Sequence, residues 1–204
     1  KEQTPAMARG LKVERVIRED VAAEFGLPIE QVETQVWLQH PEYPFIAATL
    51  DCILRQRAEF EEWKSVGFWA AKEWRDGIPK RHILQSAYQT AIGWALELKF
   101  VPYLRFVPME TLLSKRLPYE YDPEMGEMLI EAGVRFWKDH VETGVPPPLT
   151  GTNREADLLA ARFPKAVPGK TVQATPEQVI LIEQARTAKG AAKDSERLVN
   201  LIKG

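Results

Sequence analysis

Residues 5–26 (PAMARGLKVERVIREDVAAEFG) set Met7, Leu11, Ile17, Val21 and Phe25 on one face at helical spacing, which predicts an amphipathic helix stopped by Gly26. Glu14 falls in the middle of that apolar face. The pattern then changes to β-branched and aromatic runs near 33–39, 45–54 and 58–66, separated by prolines and a basic turn, and these predict three strands. Residues 67–75 read as a loop or short helix ending at Asp76-Gly77. A helix follows from about Pro79 to Ala95, with proline at its first turn. Strands are expected around 98–107 and 115–121, and an amphipathic helix from Pro123 to about Thr143, stopped by Gly144 and three prolines. A short helix capped by Thr152 or Asn153 comes next. The polar, alanine-rich tail from Thr175 to Lys203 reads as helical, with a break at Gly190. This order gives an α+β fold: a small mixed sheet with helices packed on it and a helical C-terminal tail.

With 204 residues and 45% hydrophobic content, the chain can bury the core of one domain and carry a helical appendage. The expected division is a domain over 1–164 and a linker with a helical tail over 165–204. No apolar run approaches the roughly 18 residues of a membrane span and no signal-like segment opens the chain, so the expectation is a soluble, cytoplasmic protein without a membrane partner. The chain begins at Lys1 without a methionine and ends just after a helical pattern, as a trimmed chain would. The lone cysteine, Cys52, rules out an internal disulfide and a four-cysteine iron–sulfur cluster. His40, His82 and His140 lack the spacing of a zinc site.

A net charge of −2 conceals segregation: residues 52–116 carry eleven basic and seven acidic side chains, the most basic stretch of the chain. That suits a phosphate-tracking surface, although a solvated face with no partner gives the same count.

The candidate chemistry lies in FIAATLDCILRQRAEFEEWKSV, residues 45–66. A period of two puts Glu62 and Lys64 on one face of the third strand and Trp63 on the other, while Asp51 lies near the end of the preceding strand. If the strands pair, two carboxylates and an ammonium converge, an arrangement that is costly to bury unless something compensates it. A hard, oxygen-liking ion such as Mg²⁺ or Mn²⁺ does so, with water, a phosphate oxygen and the Trp63 backbone carbonyl completing its shell. Lys64 would hold the attacking water, the set phosphodiester hydrolysis asks for. The bland alternative is an exposed cross-strand ion pair worth at most about 1 kcal/mol. Glu97-Leu98-Lys99 is a second Glu-x-Lys that lacks the strand context and serves as an internal control. Glu14 either completes the metal site, directly or through water, or pairs with Arg18 one helical turn away. His82, Gln85 and Gln89 share one helix face, which fits either a phosphate-contacting edge or a polar surface.

Taken in order, these motifs resemble the lambda-type exonucleases and the YqaJ-like viral recombinase family, within the PD-(D/E)XK nuclease superfamily, over roughly 4–164. AMARGLKVERVIRED is similar to the family's first helix with its Gly-x-x-x-Glu, here Gly10 to Glu14. HPEYPFIAATLD resembles the strand that ends in the metal-binding acid, here Asp51. EEWKSVGFWAAKEW matches the Glu-x-Lys strand and the loop after it, which maps the second acid onto Glu62 and the catalytic lysine onto Lys64. HILQSAYQTAIGW resembles the helix bearing a site glutamine, here Gln85, and FWKDHVETGVPPP the closing helix and proline turn. GKTVQATPEQ resembles the linker to a helical tail. Two departures stand out: Cys52 occupies the usual glycine position, and Gln85-x-x-x-Gln89 replaces Gln-x-x-x-Tyr.

The resemblance implies a restriction-endonuclease-like core and a Mg²⁺-dependent (or Mn²⁺-dependent) DNA exonuclease that resects duplex ends, 5′ to 3′, for phage-type recombination. Catalytic residues would be Glu14, Asp51, Glu62, Lys64 and Gln85. Ser65, Lys72, His82 and Gln89 would lie along the DNA path, while Trp74 fits a core role equally well. Implied partners are duplex DNA ends, a single-strand annealing protein and, by resemblance alone, further copies in a trimeric ring. A structure- or sequence-selective endonuclease on the same core, or a non-catalytic DNA-binding or assembly module, are the alternatives.

Overall fold

The structure is a computed structural model and describes residues 4–165, 169 and 171–203. Helix α1 spans Pro5–Phe25. The Thr4 side chain accepts the Met7 amide and Pro5 sits in the first turn, so both the cap and the fixed φ favour a start there. Gly26, at φ 62°, closes the helix in a left-handed conformation that a side chain would resist. The buried stripe is Val13, Ile17, Val21 and Ala22, whereas Met7 and Leu11 are exposed. Glu14 lies on the same face, half-buried, where the buried stripe gives way to these exposed residues toward the N-terminus.

Five strands form one sheet in sequence order: β1 (Glu33–Gln39), β2 (Ala47–Leu54), β3 (Glu59–Val66), β4 (Val101–Pro108) and β5 (Lys115–Pro118). Neighbours run antiparallel except β3 and β4, which are parallel and joined by a crossover through α2 (Phe68–Ala71) and α3 (Lys80–Ala95). A parallel pair needs such a crossover, and its helices cover one face of the sheet. The basic turn between β2 and β3 is a single tight turn over Arg55–Arg57 with Ala58 at φ 51°. Helix α4 (Pro123–Phe136) starts at the Asp122 cap and runs into a wider turn over Trp137–Glu142 before Gly144.

The sheet separates two layers. Cys52, Leu54, Trp63 and Val107 pack against α1, while Leu50, Ile53 and Phe60 meet α3 and α4. A third cluster joins Val66, Trp74, Ala87, Leu104, Phe106 and Tyr119. On β3, even-numbered residues face α3 and odd-numbered residues face α1.

The chain divides into two compact units, 1–147 and 148–204. The first ends inside the proline run 146–148, whereas the boundary expected from sequence lies at Pro164. In the second unit, α5 (Asn153–Arg162) carries a full capping box between Thr152 and Glu155. Hydrogen bonds from the Thr150 and Thr152 amides hold the Glu155 carboxyl down to about 2. Helix α6 runs unbroken over Pro176–Lys203, so Gly190 does not interrupt it as the sequence suggested. Among the described residues, no helix is long and apolar enough to cross a membrane.

Candidate active site

Strands β2 and β3 pair at Leu54–Glu59, Ile53–Phe60 and Cys52–Glu61, and there the ladder stops. Beyond it the Asp51 carboxylate, not a backbone carbonyl, accepts the Trp63 amide at 2.8 Å. Asp51 thus lies in the plane of the sheet, bridging the opening between the two strands. A strand residue's N–H and C=O leave the same edge, so the Trp63 carbonyl opens toward the same gap.

The cause of the opening is visible in β1. Pairing between β1 and β2 keeps one register on both sides of Gln35 and Asp51, but those two residues are not themselves paired. Gln35 adopts φ 56°, a left-handed conformation that a non-glycine residue holds only when its surroundings impose it. Across this point the alternation reverses. Leu50 belongs to the α3-side core and Cys52 to the α1-side core, although both are even-numbered. The reversal turns Asp51 out of the normal up-down pattern.

Glu62 is 4% exposed and faces α3. It contacts the Lys64 ammonium and accepts Gln85 Nε2 at 2.6 Å and Gln89 Nε2 at 2.7 Å. Gln89 also donates to the Thr49 carbonyl at 3.1 Å. β3 lies at the centre of the sheet, which removes the reading of Glu62 and Lys64 as an exposed edge-strand ion pair. Burial, and then the charge of Glu62, push the Asp51 carboxyl up to about 7; the Trp63 hydrogen bond, Lys64 and the more distant Glu14 charge have smaller effects. Burial and the Glu62 charge also raise Glu14, whose carboxylate accepts Gln35 Nε2 at 3.3 Å. Arg18 is not its partner: that guanidinium donates to the Val32 and Ile29 carbonyls.

The donor set suits a hard divalent cation by its chemistry: the Asp51 carboxyl, raised by burial and by the Glu62 charge, lies beside the Glu62 carboxylate and a backbone carbonyl. Among the described residues no three histidine, cysteine, aspartate or glutamate side chains form a ready protein cage. An ion held by Asp51 and Glu62 would complete its shell with water and backbone oxygen, as Mg²⁺ commonly does.

The other expected site residues separate. Gln85 donates to Glu62, and Gln89, placed along the DNA path by the resemblance, is buried and spends its amide on Glu62 and Thr49. Ser65 is exposed and lines a cleft of about 380 Å³ with Arg9, Gly10, Gly67, Met109 and Glu110. Lys72 is exposed. His82 is half-buried, stacked on Trp74 at 5.1 Å, and its imidazole is held below its usual range by burial. Trp74 is core, stacked on Phe106 at 4.7 Å. Cys52 is buried and its thiol pushed far up by burial, an inert core residue. The control pair is unlike the site: Glu97 is in a loop at φ 64° and the Lys99 ammonium lies 4.5 Å over the Trp94 ring.

Sequence reasoning missed Gln35, whose only signal is a polar residue inside the first strand pattern. It also missed a buried ion network on the opposite face of β3. Glu61 accepts Arg105 Nε at 2.7 Å, Arg116 Nε at 2.6 Å and Trp63 Nε1 at 2.9 Å. Burial alone would raise the Glu61 carboxyl, but these donors hold it below its usual range. Arg105 continues to Glu24, and Arg116 to Glu59, which also takes Arg57.

The crystal structure of an alkaline exonuclease (LHK-Exo) from Laribacter hongkongensis shares the fold, with a TM-score of 0.56 and 18% identity over 80% of this chain and 78% of that one. The uncharacterized protein YqaJ of Bacillus subtilis (strain 168) is 25% identical over 97% of this chain. The chain spans 63% of the length of that relative. The model of the YqaJ-like viral recombinase domain matches residues 1–133, which include α1, the Gln35–Asp51 opening, Glu62, Lys64 and the helix of Gln85. The chain belongs to the YqaJ-like viral recombinase domain family.

Proposed function

We propose that the protein is a divalent-metal-dependent deoxyribonuclease that degrades duplex DNA from its ends, 5′ to 3′, leaving single strands for phage-type recombination. The observation that carries this reading is the buried Glu62 carboxylate, held between Lys64 and two glutamines and facing Asp51 across a gap between strands. Glu61 on the other face is neutralised by two arginines, whereas Glu62 stands beside a second carboxyl withdrawn from water, Asp51, with one ammonium, Lys64, between the two acids' charges. The alkaline exonuclease with this fold supports the choice of end-directed hydrolysis.

Asp51, Glu62 and the Trp63 carbonyl would hold Mg²⁺ or Mn²⁺, with Glu14 reaching it through water. The ion would neutralise charge on the phosphate and lower the pKa of a bound water. The protein's own groups do the rest. Gln85 and Gln89 fix the Glu62 carboxylate in one orientation. Lys64 holds the attacking water beside the scissile phosphate and stabilises the developing negative charge. The nuclease domain is assigned to 1–164 and the linker and tail to 165–204, with a single-strand annealing protein and a trimeric ring of copies as the proposed partners.

Linear and closed circular duplexes of one sequence, each with Mg²⁺ and with chelator, test the proposal. Loss of only the linear DNA, only with Mg²⁺, and from its 5′ ends is expected. Cutting of the closed circle would establish an endonuclease, and intact linear DNA would leave a binding module.

A further inference from the structure

Helix α2 is built inside out. Its small residues, Ala70 and Ala71, pack on the Val66–Trp74–Phe106 cluster, while its two large aromatics face solvent. Phe68 is 57% and Trp69 76% exposed. Folding alone favours the opposite arrangement, because a buried aromatic contributes far more than a buried alanine. The rings stand edge to face with centroids 5.3 Å apart, and the Lys72 ammonium lies 5.4 Å from the Phe68 centroid and 4.3 Å from that of Trp69. The stretch is basic as well as aromatic. Arg75 and Lys80 accompany Lys72 against one further acid, Asp76, while Arg81 is paired with Glu73.

The position ties this patch to the candidate site. Phe68 follows Lys64 by four residues of extended β3 and the Gly67 cap, so their backbones lie no more than about 14 Å apart.

We propose that Phe68, Trp69 and Lys72 form a stacking platform for unpaired nucleobases of the DNA strand engaged at the Asp51–Glu62 site. Aromatic faces accept any base, and a neighbouring ammonium holds the adjoining phosphate, so such a surface grips single-stranded DNA without reading its sequence. The charge of the patch favours a polyanion over an apolar protein surface. The proposal deepens the nuclease reading and rests on it for the choice of strand.

The test uses the full chain in chelator with two short single-stranded oligonucleotides, one with natural bases and one of equal length with abasic sites. Trp69→Ala is expected to weaken binding of the natural oligonucleotide at least about fivefold, with Trp69→Phe retaining most of the affinity. Binding of the abasic oligonucleotide should be the same in all three proteins. Because the ring is exposed, neither variant should unfold the chain, and a thermal melt checks this. Equal losses on both oligonucleotides, or no preference of the wild type for natural bases, would overturn the platform. A sedimentation shift in Trp69→Ala with unchanged DNA affinity would overturn it too, by assigning the rings to a protein contact. Cleavage of linear duplex in Mg²⁺, measured beside these, keeps the two ideas apart. Base-dependent binding without cleavage removes the nuclease reading alone, and cleavage without base-dependent binding removes the platform alone.

Discussion

Two carboxyl groups withdrawn from water, Asp51 and Glu62, lie side by side with the half-buried Glu14 farther off, and one ammonium, Lys64, offsets only part of their charge. Asp51 is raised from an ordinary carboxyl value to about 7 in the folded protein. A group bound more tightly to its proton in the folded state stabilises the fold at low pH and loses that contribution as pH rises through the folded value. The metal-free protein should therefore lose stability relative to Asp51→Asn between about pH 4 and pH 7, measured by paired thermal melts in chelator. A constant difference across that window would contradict the burial of Asp51. Glu14 follows the same logic. Glu14→Gln should keep or raise the melting temperature without metal, while lowering metal-dependent cleavage at least about tenfold, a barrier increase of roughly 1.4 kcal/mol. Unchanged cleavage would remove Glu14 from the site and leave a two-acid centre. Asp51, Glu62 and Lys64 were singled out in the sequence by strand spacing and by the resemblance, since β3 carries four charged residues and charge alone does not distinguish Glu62 from Glu59 and Glu61. The helical face of Glu14 was legible too, although Met7 and Leu11, apolar in sequence, face solvent.

At the scale of elements, the reversal at Gln35 and Asp51 links backbone strain to the site. Period-two reading assumes that alternation never slips, so it cannot find a place where two strands exchange faces together. Gln35→Gly would relieve the left-handed backbone while deleting the hydrogen bond to Glu14. The expected outcome is stability kept or raised with reduced cleavage; equal activity would mean that Gln35 only turns the strand. The face of β3 away from the site is held differently. Glu61 and Arg105 are both essentially fully buried, and removing Arg105 takes the bidentate partner from a buried carboxylate that keeps only Arg116 and Trp63 as donors. Arg105→Ala should lose about 3–5 kcal/mol in a denaturant titration. A loss near that of an exposed ion pair would contradict the burial of the network. Its members lie far apart in sequence, which hid the network from a reading that follows neighbouring residues.

For the whole molecule, a mixed sheet with helices on it and the bounds of α1 and β1 followed from periodicity and from the stop at Gly26, whereas the strand order and the parallel crossover from β3 to β4 came only with the fold. The continuity of α6 through Gly190 did not, because a single glycine weakens a long helix by only about 1 kcal/mol and neighbouring turns carry it. The two Glu-x-Lys sequences were alike as text and were separated by the fold: one lies on the central strand beside Asp51, the other in a loop with its lysine on Trp94. That contrast gives the most direct test of the central claim, that β3 carries a metal-dependent phosphodiesterase centre. Cleavage of linear duplex in Mg²⁺ is measured for the wild type, Lys64→Ala and Lys99→Ala, with DNA binding measured in chelator for all three. The account predicts that Lys64→Ala abolishes cleavage with binding nearly intact, while Lys99→Ala cleaves close to the wild-type rate. Equal losses in the two variants, or full cleavage by Lys64→Ala, would contradict it.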